Sequence, residues 1–288
     1  MKISVILSTY NQPDWLEKSV WGYMAQTDRN FEIIVADDGS GPETTSRIGM
    51  LAAESDIRIR HVWQEDDGFQ KTRILNKAIL ASGGDYLLFS DGDCIPRSDF
   101  VAVHRQHAQP GRFLSGGYFK LPMAVSQAIS RQDIEAGDPF SSDWLKARGV
   151  RKPQHKWWKL TASGKKTRFL NRCTPAKASW NGHNASGWRS DIVTANGFDE
   201  RMRYGGEDRE LGERLVNAGI RPIQLRYSTV CLHLDHARGY VDAASRRLND
   251  DIRRETRSSG VTRTGFGLDG HSDAPSSDNS DKDYHRGR

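Results

Sequence analysis

The sequence predicts an α/β fold whose first hundred residues form a doubly wound half. Short apolar runs at residues 3–7, 31–36 and 86–90 have the length and the β-branched and aromatic content of buried strands. The stretches between them carry apolar residues at helical spacing, and strand, helix, strand alternation implies parallel strands joined by right-handed crossovers.

The first run leaves the core into Ser8-Thr9-Tyr10-Asn11-Gln12-Pro13, a turn-prone segment. Pro13 suits a first helical turn, because its fixed φ is helical and its missing N–H would have no partner there. Trp15, Leu16, Val20 and Tyr23 then recur on one helical face. The alternation continues with a helix near 43–54, a strand near 57–63 and a helix near 70–81. Ligands of such folds bind at the carboxyl ends of the strands. From Phe100 to about Trp180 the pattern weakens, and loops with short helices are expected. Order returns with a helix at 207–216, a strand at 228–234 and an amphipathic helix at 241–257. Residues 258–288 are rich in Ser, Asp, Gly and Arg, which predicts a disordered tail.

The 288 residues are 36% hydrophobic, which suits a folded, enzyme-sized body. No apolar run reaches the roughly 18 residues of a membrane span, and a cytoplasmic protein, peripheral at most on the inner membrane face, is the expectation. Cys94, Cys173 and Cys231 are widely spaced and read as free thiols. The net charge of +5 is modest, but its distribution is uneven. Residues 145–178 hold eleven Lys or Arg, no Asp or Glu, and the pair Trp157-Trp158. Such a run is a solvated loop or a surface for an anionic partner.

Acidic side chains close the predicted strands. Asp91-Gly92-Asp93 follows the run at 86–90, where two hard oxygen donors and a tight glycine turn suit a divalent cation on a diphosphate. Asp37-Asp38-Gly39-Ser40 closes the second strand, either as a turn or as acceptors for a base or ribose. Residues 66–73 open a helix with Lys71 and Arg73 near its first turn, a place for a phosphate or ribose. In Gly205-Gly206-Glu207-Asp208 the acids favour a helix dipole, but the glycines also let a ligand approach, and such a carboxylate can act as general base. His233 and His236 end the late strand, on opposite faces if it stays extended, and imidazole beside carboxylate suits Mn²⁺.

Together these motifs resemble the family 2 glycosyltransferases with the GT-A fold. The likeness rests on Val5-Ile6-Leu7-Ser8-Thr9-Tyr10-Asn11, Asp37-Asp38-Gly39-Ser40 and Asp91-Gly92-Asp93. The segment from Gly182-His183-Asn184-Ala185 through Asn196-Gly197-Phe198-Asp199-Glu200 to Gly205-Gly206-Glu207-Asp208 resembles the carboxyl half of β-1,4-galactosyltransferases and chondroitin-type polymerases. The resemblance implies one domain over residues 1–257, with a mixed central sheet. Residues 1–120 would be the donor-binding half and residues 121–257 the acceptor and metal half.

Carried over by position, the resemblance implies donor contacts from Thr9, Tyr10, Asn11, Asp37, Asp38, Arg73, Asp91 and Gly92. Asp93 and His233 would hold Mn²⁺ or Mg²⁺, with His236 the less favoured ligand. Asp208 would be the catalytic base, with Glu207 and Asn184 facing the acceptor. Tyr204 stands where the family commonly has Trp, so Trp188 is the alternative stacking surface. The activity implied is inverting transfer from a nucleotide-sugar, UDP-linked by preference, to a glycan or glycolipid of the kind found on bacterial surfaces.

Two other classes fit less well. A nucleic-acid-binding protein would use the basic Trp-bearing run but leaves Asp37, Asp93 and Asp208 without a role. A dinucleotide-dependent dehydrogenase would need a glycine-rich first turn, which residues 8–13 lack.

Overall fold

The computed structural model describes residues 1–236 and 243–271. The first half alternates as the sequence predicts: β1 (Ile3–Thr9), α1 (Pro13–Met24), β2 (Phe31–Asp37), α2 (Pro42–Glu54), β3 (Ile59–Trp63), α3 (Lys71–Ala81) and β4 (Tyr86–Asp91). There follow β5 (Cys94–Pro96), α4 (Phe100–His107), β6 (Arg112–Ser115), β7 (Gly117–Lys120), α5 (Met123–Ala128), α6 (Arg131–Ala136) and α7 (Ser142–Ala147). The basic run forms α8 (Gln154–Thr161) and α9 (Gly164–Cys173). The remainder is β8 (Ala185–Trp188), α10 (Arg189–Thr194), α11 (Glu207–Asn217), β9 (Arg221–Gln224), β10 (Val230–His233) and α12 (Ala243–Ser259). The short helices at 100–180 were expected; the strands β6 and β7 among them were not, because four residues carry no readable period.

Seven strands form one sheet in the order β3-β2-β1-β4-β8-β6-β9. β3, β2, β1 and β4 are mutually parallel, whereas β8 runs antiparallel to both β4 and β6, so the central sheet is mixed. Alternation along β1 sends Ile3, Val5 and Leu7 into one core with Leu16 and Tyr23 of α1. Ile6 points the other way, into a core with Leu75 of α3, Phe89, Trp180 and Leu211 of α11. A second sheet, β5-β10-β7, packs on a third apolar cluster that includes Trp15, Phe119, Leu145 and Trp157.

Winding from β1 proceeds outward to β2 and β3, then returns so that β4 lies on the other side of β1. The carboxyl ends of β1 and β4 therefore diverge into different loops, which opens a crevice between Thr9 and Asp91.

The carboxyl end differs from expectation. Residues 260–271, expected as tail, pack against the loop after α10: Thr264 Oγ1 donates to Asp199 Oδ2 at 2.7 Å, and Leu268 is buried. Side-chain pairing and one buried leucine anchor a segment too polar to show a period. The rest of the expected tail, 272–288, and the start of the helix expected at 241 lie outside the described residues.

One buried ion pair ties these parts together. Arg214 on α11 is fully buried; it donates through Nε to Glu210 Oε1 at 2.8 Å and through its terminal nitrogens to the carbonyls of Ala195 and Gly197. Glu210 also accepts Thr256 Oγ1 of α12 at 2.9 Å. Replacing Arg214 by Met would strand a buried carboxylate and two carbonyls, so chemical denaturation is expected to show a loss of about 3–5 kcal/mol.

Candidate active site

Strand parity decides which acids meet. Ser8, Asp38 and Asp91 share parity with Ile6, Ala36 and Phe89, so they emerge on the sheet face covered by α3 and α11. There Asp91 Oδ1 accepts Ser8 Oγ at 2.9 Å and Lys71 Nζ at 2.7 Å. Burial alone would raise the Asp91 carboxyl, but the Lys71 ammonium outweighs it and holds the group well below the usual carboxylate range. Burial likewise opposes the charge on Lys71, yet Asp91, Asp208 and Glu207 together keep its ammonium protonated well above the normal range. Gly92 turns the chain so closely that an added Cβ would sit 2.9 Å from the Ser8 carbonyl oxygen.

Asp208 arrives from the opposite wall. Gly205 and Gly206 both adopt positive φ, 112° and 92°, a conformation that side chains disfavour, and this turn starts α11 at the pocket edge. Asp208 Oδ2 accepts the Gly182 backbone N–H at 2.8 Å. A methyl on Gly182 would lie 3.2 Å from Lys71 Nζ and 3.4 Å from Asp208 Oδ2, so the glycine fits against both partners. Burial, and then the charge of Asp208, push the Glu207 carboxyl up to about 8, so Glu207 keeps its proton at neutral pH. Its Oε2 accepts the Gly205 N–H at 2.9 Å.

A third group surrounds Asp93. β5 and β10 pair so that His233 lies opposite Cys94, and the donor atoms of Asp93, Cys94 and His233 fall within 4.8 Å of one another. His233 Nδ1 lies 2.8 Å from the Leu234 carbonyl oxygen and so donates to it, which leaves Nε2 as the lone-pair nitrogen, 3.8 Å from Asp93 Oδ2. The extended conformation stops at His233, so His236 does not take the opposite face. Its ring stacks on His233 with centroids 5.6 Å apart, and its Nε2 is 3.0 Å from the same Asp93 oxygen. Burial pushes the Cys94 thiol up, and its Sγ donates to Asp93 Oδ1 at 3.4 Å, so sulfur remains a thiol here.

These three groups share a pocket of about 590 Å³. Thr9, Tyr10, Asn11, Asp38, Asp91, Gly92, Asp93, Glu207, Asp208 and His233 all line it, as do Lys71 and His236. The Thr9 hydroxyl is buried without a hydrogen-bond partner among the described residues. Asp38 accepts Gln64 Nε2 at 2.7 Å and the Gln70 N–H at 2.9 Å, and burial pushes its carboxyl up to about 6. Phe69 and Tyr204 meet edge to face at 5.7 Å on the wall, so the aromatic surface beside the Gly-Gly turn comes from these two residues.

Four expected residues are elsewhere. Asp37 has the opposite strand parity; it is fully buried and engaged by His61 Nε2 at 2.9 Å and by the Ser40 N–H. Arg73 is exposed on the outer face of α3, because it lies in phase with Lys77 and Leu80. Lys71 instead shares the buried face with Ile74, Leu75 and Ala78, a spacing legible in the sequence. Asn184 is buried, bonding His104, the Gly117 carbonyl and the Thr229 carbonyl. Trp188 pairs with Tyr86 at the amino end of β4, at the far end of the sheet from Asp91, and its indole N–H donates to the Gln109 carbonyl. Neither residue lines the pocket that holds Asp208.

A mixed sheet of this order, with acidic turns at its switch point, is the architecture of the GT-A glycosyltransferases. Solved structures that share it include the following two. A mannosyltransferase from Pyrobaculum calidifontis, solved with GDP-Man and Mn²⁺, matches with a TM-score of 0.56 at 20% identity, covering 89% of this chain and 61% of that one. S. aureus TarS residues 1–349, solved with UDP-GlcNAc, also matches with a TM-score of 0.56, at 14% identity over 94% of this chain and 69% of that one. Residues 4–135 match the model of glycosyl transferase family 2. Among curated relatives, the uncharacterized glycosyltransferase YfnE of Bacillus subtilis is 28% identical over 264 residues, 82% of this chain and 65% of the relative. The validoxylamine A glucosyltransferase of Streptomyces hygroscopicus is 27% identical over 277 residues, 86% of this chain and 59% of the relative. The chain thus spans less than two thirds of the length of either relative.

Proposed function

We propose that the chain transfers a sugar from a nucleotide-sugar, UDP-linked by preference, to a hydroxyl of a glycan or glycolipid of bacterial surface type, with inversion. The observation that carries this reading is that Asp208 shares one pocket with the Asp91-Gly92-Asp93 turn, with Lys71 between them. The family match and the nucleotide-sugars held by the solved structures of the same fold support it.

The donor set fits a divalent cation: a carboxylate on Asp93 beside an imidazole whose Nε2 is presented because Nδ1 is engaged by backbone. Asp93 and His233, with His236 adjacent, would hold Mn²⁺ or Mg²⁺, and imidazole favours Mn²⁺. Once bound, the cation supplies positive charge for a departing nucleoside diphosphate.

The protein's own groups do the rest. Thr9 offers an unpaired hydroxyl to the donor, and Asp38 stands ready to accept a hydrogen bond from its base or ribose. Asp208, oriented by the Gly182 N–H, takes the proton of the acceptor hydroxyl as that oxygen attacks the anomeric carbon. The attack is a single displacement, so configuration inverts and no covalent intermediate forms. Glu207, which keeps its proton, can donate to an acceptor oxygen.

A panel of nucleotide-sugars tested for Mn²⁺-dependent hydrolysis and thermal stabilisation checks this reading. Stabilisation by none of them would refute it. Lys71→Met is expected to lower turnover about 10²-fold, because Asp91 and Asp208 lose the ammonium between them. Lys71→Arg should retain part of the rate, and a steady-state comparison of the two variants separates charge from packing.

A further inference from the structure

The eleven Lys and Arg of residues 145–178 form a second charged feature, distinct from the acidic pocket. α9 carries four of them. Lys165, Lys166, Arg168 and Arg172 are all exposed, and none makes an ion pair among the described residues. In their midst Phe169 is 64% exposed, the most open large apolar side chain among the described residues. Lys165 and Arg172 lie four residues before and three after Phe169, so all three share one helical face. The Phe169 ring is thus left largely in water between basic side chains.

We propose that this face of α9 docks on an anionic lipid bilayer, with Phe169 entering the boundary between headgroups and acyl chains. Charge complementarity argues for an anionic partner, and the ring argues for one with an apolar layer beneath the charge. A single-stranded nucleic acid would instead need several aromatic platforms in series. The other aromatics of the run do not offer them. Trp157 is buried with its indole N–H donating to the Lys152 carbonyl at 3.1 Å, and Trp158 is half-buried with Lys166 Nζ 5.4 Å from its ring centroid.

The face is firmly attached to the body of the molecule. Asn171 of α9 donates to Ser228 Oγ at 2.7 Å and accepts the Tyr227 N–H at 2.9 Å. On the adjoining α8, Lys159 Nζ donates to the Tyr118 carbonyl at 2.6 Å, and the Tyr118 ring lies 5.8 Å from that of His233 at the pocket. Docking at α9 would therefore hold the pocket at the membrane, which suits the glycolipid branch of the proposed acceptors. The docking itself needs no donor and stands independently of the transferase reading.

The test is co-sedimentation of the full chain, without nucleotide, with vesicles of phosphatidylglycerol and phosphatidylcholine in equal parts and with phosphatidylcholine alone. Binding is expected to the first only. Replacing both Lys165 and Arg172 by Gln should weaken it roughly 25-fold, about fivefold for each charge removed. Phe169→Ser should weaken it by about fivefold as well, at unchanged net charge. All three residues are exposed, and matching circular dichroism melts confirm that the variants are folded. The proposal is overturned if the parent does not sediment with the anionic vesicles, or if Phe169→Ser binds them as well as the parent. Binding to single-stranded RNA but not to vesicles would overturn it equally.

Discussion

Asp208→Asn is expected to bind donor within about twofold of the parent while its turnover falls by about 10²–10⁴-fold. The asparagine oxygen can still accept the Gly182 N–H, so the start of α11 and the pocket wall keep their shape. What disappears is the basic lone pair that removes the acceptor proton. Glu207 is not placed to take over, because its Oε2 is already held by the Gly205 N–H and burial still opposes its ionisation. Titration calorimetry with the donor and a steady-state rate with the acceptor measure the two halves separately. Undiminished turnover by Asp208→Asn would remove the base assignment.

Asp93→Ala is expected to weaken Mn²⁺-dependent donor binding by about 100-fold or more, while metal-free binding changes little. Removing a ligand should cost at least as much as removing a partner behind one, for which 10–100-fold is usual. Cys94 does not compensate, because its buried thiol stays protonated. His233→Ala should follow Asp93→Ala, since backbone fixes the orientation of the His233 ring. His236 stands closer to Asp93, at 3.0 Å against 3.8 Å, so the same titration on His236→Ala decides whether one imidazole or both hold the ion. Equal donor affinity with and without Mn²⁺ in the parent would dismiss the cation altogether.

How far the sequence led depends on the range over which each signal acts. β1, β2 and β4 were legible because each is a mostly apolar run buried on both faces. The acids that follow them were legible for the same reason, since a polar turn ending such a run sits at the mouth of the sheet. β6, β8 and β9 were not, because four residues give no period, and their pairing comes from sequence-distant partners. The packed segment 260–271 was missed because its hold is a few specific bonds, such as Thr264 to Asp199, rather than an apolar stripe.

Within the site the same boundary runs between neighbouring residues. Local pattern by itself determined that acids close the second and fourth strands, that a Gly-Gly turn opens a helix on two carboxylates, and that a late strand ends in histidine. Tertiary structure alone decided that Asp38 rather than Asp37 reaches the pocket, because which strand face receives α3 is a matter of packing. It placed Lys71 inside and Arg73 outside by the phase of α3 against the sheet. It brought His236 beside His233 by ending β10 one residue earlier than a continued strand would, and it left Trp188 at the wrong end of β8. Each of these outcomes turns on the relative placement of two elements distant in sequence, a quantity that no single segment encodes.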